Sequence, residues 1–209
     1  MASFSVHTLP NTAPDHDTLL EYSSRLKTLR LRSLKEDAKS FISKYESEVS
    51  QPECFWLKRL KDDRATHLVL LRHDTLTQKS TLLEHQWVGF VVIVAPDRKE
   101  VNDAGQSSPA EWYMAALYVE PEVRGQGLGK RLVQATIDHV RDNSSTEHGR
   151  SSCCLTSVVH GNENALDLYQ KLGFRIINPN EEVEKEGRKY LSTTLRMEVF
   201  IKERKGLEQ

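Results

Sequence analysis

The sequence has little cysteine, and its three cysteines, Cys54, Cys153 and Cys154, do not form a framework. Two are adjacent, and neighbouring cysteines do not easily close an unstrained disulfide. There is no C-x-x-C and no Cys/His spacing suited to zinc, so no metal site is expected. An excess of charge is also lacking: 29 Lys+Arg stand against 30 Asp+Glu, a net charge of −1. Neither nucleic acid nor a membrane is therefore expected as a partner. No apolar run exceeds strand length, which leaves no candidate for a bilayer-spanning helix. The opening residues, MASFSVHTLPNTAPDHD, have neither a basic start nor an apolar core, so no signal peptide is expected. The expected location is the cytoplasm, where thiols stay reduced. Internal repeats are absent. With 209 residues and 38% hydrophobic content, the chain can bury a core without disulfides or metals, and it reads as one domain over 1–209.

What is present alternates between strand and helix signals. Residues 4–9 read as a first strand. Leu19, Tyr22, Leu26 and Leu29 share one helical face over 16–34, and Leu34, Ala38, Phe41 and Tyr45 suggest a second helix over 35–49. Residues 66–72 and 86–95 are β-rich and flank a polar tip, as in a hairpin. Residues 110–119 are apolar at nearly every position, as in a central strand buried on both faces. Leu128, Leu132, Val133, Ile137 and Val140 mark an amphipathic helix over 128–141. A strand over 153–159, a short helix over 163–172, and strands over 174–178 and 190–202 complete the chain. Polar loops are expected at 96–109 and 142–152. The expected fold is α/β: a mixed central sheet of about seven strands with helices on both faces.

The strand at 110–119 runs into Arg124-Gly125-Gln126-Gly127-Leu128-Gly129-Lys130-Arg131, where a helix begins. Alternating glycines let the backbone approach a ligand closely. A helix start adds free N–H groups and the positive end of a dipole, so the segment is a candidate anion site. Arg124, Lys130 and Arg131 add charge. The spacing rejects a P-loop, which needs glycine where Arg124 stands, and a dinucleotide fingerprint, which needs glycine where Lys130 stands.

Val119-Glu120-Pro121-Glu122-Val123-Arg124-Gly125-Gln126-Gly127-Leu128-Gly129 resembles the acetyl-CoA pyrophosphate loop of the GNAT acetyltransferase superfamily. The resemblance implies that backbone N–H groups of Gly125, Gln126, Gly127, Leu128, Gly129 and Lys130 hold the pyrophosphate, with Arg124 beside them. It implies that the strand end Leu117, Tyr118 and Val119 splays from its neighbour and bonds the pantetheine. A backbone N–H near Leu117 or Tyr118 would then polarise the acetyl carbonyl. A second stretch, Asn162-Glu163-Asn164-Ala165-Leu166-Asp167-Leu168-Tyr169-Gln170-Lys171-Leu172-Gly173-Phe174, is similar to the family's N-x-x-A-x-x-L-Y-x-K-x-G-F motif. By that resemblance Asn162 meets a pantetheine amide, Ala165 is a coenzyme-contacting position, and Tyr169 serves the coenzyme sulfur. Without the motif, Tyr169 reads as a core aromatic and Asn162 as a helix N-cap.

The implied reaction is direct acyl transfer from acetyl-CoA to a primary amine of a small molecule, by a monomer or homodimer. Alternatives are a protein or peptide acceptor, a hydroxyl acceptor, and an acyl-CoA-binding module without turnover. A lysine-like amine, with a pKa near 10.4, needs about 4–5 kcal/mol to become neutral near pH 7. Glu111, at the start of the central strand, is the candidate base, and an exposed strand-start carboxylate is the alternative reading of it. Glu120 and His160 are lesser candidates. Cys153 and Cys154 read as structural.

Overall fold

Seven strands form one sheet in a computed structural model that describes residues 2–13, 15–73, 82–96, 109–144 and 152–200. In chain order the elements are β1 (Ser3–Leu9), α1 (His16–Glu36), α2 (Tyr45–Val49), α3 (Glu53–Leu60), β2 (Ala65–His73), β3 (Gln86–Val94), β4 (Ala110–Val119), α4 (Leu128–Asn143), β5 (Ser152–Val159), α5 (Glu163–Lys171), β6 (Arg175–Lys185) and β7 (Arg188–Val199). The sheet order is β1-β2-β3-β4-β5-β7-β6. Every neighbouring pair is antiparallel except β4 with β5. The expected mixed sheet, with helices on both faces, is thus present. Most of the expected polar loops, and the end of the last expected strand, lie outside the described residues. Among the described residues no helix is long and apolar enough to cross a membrane.

Two apolar clusters hold the layers together. On one face Leu19, Tyr22, Leu26 and Leu29 of α1 pack with Leu60 of α3 onto Val69, Leu71, Trp87 and Phe90. On the other, Leu128, Leu132, Val133, Ile137 and Val140 of α4 pack onto Leu70, Val91, Trp112 and Met114. Each such fully buried side chain contributes roughly 1.5–3 kcal/mol. Asp15 fixes the start of α1, where its Oδ1 accepts the Thr18 N–H at 2.7 Å.

Two sequence expectations change. The second helix over 35–49 does not form as one piece. α1 continues to Glu36, Asp37 leaves the helical region, and after a short turn at Ala38–Ser40 the chain is extended at Phe41 and Lys44 before α2. Tertiary pairing overrides propensity here: Phe41 lies under the Arg30 guanidinium at 5.1 Å, and Glu48 is drawn onto Arg30. The charged stretch after residue 178, expected as a connection, is instead most of a long hairpin. β6 and β7 meet at Glu186 and Gly187, whose φ angles of 52° and 69° suit a two-residue turn. Both faces of β6 are largely exposed, so no apolar alternation announces it.

One local distortion positions the site. In β4 Ala116 adopts φ 56°, and the register with β3 slips there by one residue, a β-bulge. The ladder between β4 and β5 runs only from Ala110↔Ser152 to Tyr113↔Leu155. Past that point the two parallel strands part, and the gap between them is the groove.

Candidate active site

At one end of the groove the chain leaves β4, makes a turn at Pro121–Val123 and enters α4 through the glycines. Gly125 and Gly127 have φ of 76° and 72°, a region that side-chain-bearing residues rarely adopt. A Cβ at either position would meet nothing within 4 Å, so this face of the loop is open. Gly127 is the N-cap of α4 and offers no side-chain cap. The first N–H groups of α4 are therefore left for an anion. A cavity of about 500 Å³ covers them, lined by Gly125, Gly127, Leu128, Gly129 and exposed Lys130 together with Leu117, Tyr118 and Val119. Asn162 and Ala165 close its far side.

Arg124 also borders this cavity, but its guanidinium is engaged. Nε donates to the Val119 carbonyl at 2.8 Å, Nη2 pairs with Asp37, and the group lies 5.7 Å over the Tyr118 ring. It fastens the loop to the end of α1. Gln126 turns back, donating to the Val123 carbonyl at 3.2 Å. The Tyr118 hydroxyl points toward α1 and donates to Glu36 at 2.5 Å. Burial, then the Glu36 carboxylate, push the Tyr118 pKa well up. Arg32 bridges Glu36, Glu120 and Glu122, so the strand end and the loop are held to one helix.

Asn162 is the N-cap of α5, its Oδ1 accepting the Ala165 N–H at 3.3 Å, and it borders both this cavity and the next one. Tyr169 is 5% exposed and packs against Phe174 at 5.5 Å. Burial pushes its pKa up, while the Thr156 hydroxyl beside it acts the other way. The hydroxyl is therefore a neutral donor, set in the floor where β4 and β5 separate. Burial also pushes the Cys153 thiol up to about 11 and the Cys154 thiol up to about 12, so neither is a ready nucleophile.

Beyond Tyr169 the groove opens into a second cavity of about 470 Å³. Tyr113, Thr156 and Ser157 line it, together with Arg30, Ser43, Arg59, Asp62, His67 and Lys185; this is the outer cavity. Burial, then the Arg59 charge, lower the His67 pKa to about 4, so this imidazole is neutral near pH 7. The hairpin tip leans over this end: Lys185 Nζ donates to Ser43 Oγ at 2.7 Å, and Ser47 Oγ donates to Glu186 at 2.7 Å. Glu111 is not brought to the groove. It pairs in register with Cys153, its side chain is 45% exposed, and its carboxylate lies 3.9 Å from Arg196. His160 donates to the Pro179 carbonyl, and Glu120 is tied to Arg32.

Compared with known families, residues 31–174 match the model of the Acetyltransferase (GNAT) family, which is more than half of the chain. The chain belongs to this family. Among curated relatives, it is 26% identical over 96 residues to N-alpha-acetyltransferase 30 of Schizosaccharomyces pombe, covering 43% of this chain and 60% of that protein. It is 30% identical over 69 residues to the thialysine N-epsilon-acetyltransferase of Sus scrofa, covering 33% and 37%. The chain thus spans under two thirds of the length of these curated relatives. The fold is shared with Arabidopsis thaliana NAA60 in complex with acetyl-CoA, at TM-score 0.61, 15% identity, and coverage of 94% of this chain and 99% of that one.

Within the GNAT framework, β4, the glycine loop and α5 border one cavity. Sequence reasoning missed the outer cavity. Arg30, Arg59, His67 and Lys185 come from α1, α3, β2 and β6, and no short spacing links them. One signal was available: Arg30 lies four residues after Leu26 and four before Leu34, a charge on a buried stripe.

Proposed function

We propose that this GNAT chain transfers acetyl from acetyl-CoA to the primary amine of a small molecule. The observation that carries this reading is the continuity of the groove. It runs from the open glycine loop, past Asn162 and the Tyr169 hydroxyl, into a bounded cavity of about 470 Å³ under the β6–β7 hairpin. A cavity of that size suits a small molecule. Acetyl-CoA supplies the thioester. The loop N–H groups of residues 125–130 bind its phosphates, and the unpaired edge of β4 beyond Tyr113 aligns the chain between loop and thiol.

The reaction forms a C–N bond and breaks a C–S bond, and the amine gives up a proton. A backbone N–H near the bulge, at Leu117 or Tyr118, stabilises the carbonyl oxygen as it gains charge. Tyr169 donates a hydrogen bond to the departing sulfur. Its raised pKa keeps the proton on the phenol, so the thiolate is stabilised chiefly by the hydrogen bond. No carboxylate among the described residues stands beside Tyr169 as an evident base. The amine therefore gives its proton to solvent in the groove.

The test is a thiol-release assay, corrected for hydrolysis, over amines, amino acids, polyamines and peptides. Saturable release driven by small amines is expected, with the acetylated amine found by mass spectrometry. Turnover confined to peptides, or none with any amine, would overturn the reading.

A further inference from the structure

The outer cavity carries a charge pattern that narrows the acceptor. We propose that the acceptor amine also bears a carboxylate, and that Arg30, Arg59 and Lys185 bind it. This inference rests on the small-amine reading above.

Three cations line the outer cavity, and Asp62 is the carboxylate among the lining residues described. Asp62 already accepts the Arg64 backbone N–H at 3.0 Å. Behind the cations stands Glu48, and it serves two guanidinium groups at once. It accepts from Arg30 Nε at 3.0 Å and Nη2 at 2.8 Å, and from Arg59 Nη1 at 3.1 Å. One carboxylate therefore answers two arginines, and Lys185 adds a third positive charge through a bond to a hydroxyl, Ser43 Oγ.

One member of the cluster is itself buried. The Arg30 side chain is only 8% exposed, and its Nη1 is buried without a hydrogen-bond partner. That atom is closed off, with the guanidinium 5.1 Å over the Phe41 ring, so the cations of the cluster that a bound anion meets first are the partly exposed Arg59 and the exposed Lys185. A planar guanidinium fork matches a carboxylate in particular. A polyamine would place further positive charge against the same three cations and find, among the described lining residues, only Asp62 to answer it.

The arrangement also fits the chemistry of the amine. A carboxylate held by the cations restricts where the amino group lies in a cavity that Tyr113, Thr156 and Tyr169 also line. Discrimination comes from leaving charged donors unpaired when the anion is missing.

The experiment compares kcat/KM for a panel of free L-amino acids, their carboxamides, spermidine and 2-aminoethylphosphonate with the intact chain and acetyl-CoA. The best free acid should exceed its own amide by about tenfold or more. Lys185→Glu, at an exposed hairpin position where folding is not at stake, should cut that acid-over-amide ratio by about tenfold. Arg59→Gln should lower the same ratio, with circular dichroism checking its fold. An amide or spermidine equal to the acid, a preference for the phosphonate, or an unchanged ratio in folded Lys185→Glu overturns the proposal. Turnover of small amines without acid preference removes this inference alone. Absence of turnover with every small amine removes the small-amine reading and this one with it.

Discussion

At the donor end of the groove, Gly125, Gly127 and the first turn of α4 are contiguous in sequence and offer mainly backbone N–H groups. At the proposed acceptor end, Arg30, Arg59, His67 and Lys185 converge from four separate elements and offer side chains. The difference teaches where each kind of specificity resides. A phosphate can be held by any backbone that reaches the right φ, so glycine spacing is enough to write that site locally. An acceptor is distinguished by charge and shape, which require side chains placed by the whole fold. The acceptor end should therefore fail by losing its scaffold, and the donor end by losing its loop conformation.

The largest expected effect is at the acceptor scaffold. Glu48 is 8% exposed and balances both Arg30 and Arg59. Glu48→Gln leaves two guanidinium groups without their anion, one of them buried, and should cost about 3–5 kcal/mol in urea unfolding. The pH dependence has a defined sign. Burial acts to raise the Glu48 pKa, but the Arg30 hydrogen bonds and the Arg30 and Arg59 charges hold it below its ordinary 4.5. The ionised pair therefore contributes its full stability above about pH 4.5 and loses it as pH falls through the lowered value. Wild type and Glu48→Gln should converge in strong acid. A constant gap between them down to low pH would show that the pair is not what Glu48 contributes.

Next in size is the residue between the two ends. Tyr169→Phe keeps the ring packed on Phe174 and removes a neutral hydroxyl donor. Hydrogen bonds to charged groups are worth about 1.5–3 kcal/mol, so kcat should fall by about 10- to 150-fold while KM for acetyl-CoA moves little. Equal turnover in the mutant would make Tyr169 a packing residue only. Smaller again is the donor loop. Gly127→Val places a β-branched residue at φ 72°, a strain of about 1–2 kcal/mol that the loop relieves by leaving its open form. Acetyl-CoA affinity by calorimetry should fall by about 5- to 30-fold. Unchanged affinity in a folded mutant would detach the glycine loop from phosphate binding.

Legibility in the sequence follows the same division. The sheet strands with buried faces, α1, α4 and α5, and the two motifs were readable because each is written in consecutive residues with a fixed period. β6 was not, since Arg175–Lys185 is exposed on both faces and its pairing is decided by the Glu186-Gly187 turn and by β7. The break in the expected second helix was equally hidden. It depends on Phe41 stacking under Arg30 and on Glu48 reaching the same guanidinium, contacts that join residues far apart on different elements. The outer cavity had no local pattern at all beyond one arginine on an apolar stripe. The bulge at Ala116, which opens the groove, leaves no residue signature because alanine stands where glycine would have announced a positive φ.

Glu111 gives the smallest expected effect and the sharpest separation of sequence position from site. It begins the central strand, the place where a base was expected, yet it is absent from the residues that line either cavity. Its side chain is 45% exposed and its carboxylate stands 3.9 Å from Arg196, which also bonds Glu198 at 2.8 Å. Exposed pairs at such separation contribute about 0–1 kcal/mol, and surface substitutions usually stay within about 0.5 kcal/mol. Glu111→Gln should therefore leave kcat and KM within about twofold, and its pH–rate profile should overlay that of wild type. A base role predicts something else: a large loss with lysine-like amines that shrinks as pH rises toward the amine's own pKa of about 10.4, where solvent supplies the neutral nucleophile. That pattern would return Glu111 to the reaction and would mean that solvent alone does not deliver the amine uncharged. An overlay leaves the proton with solvent and Glu111 with Arg196 on the surface.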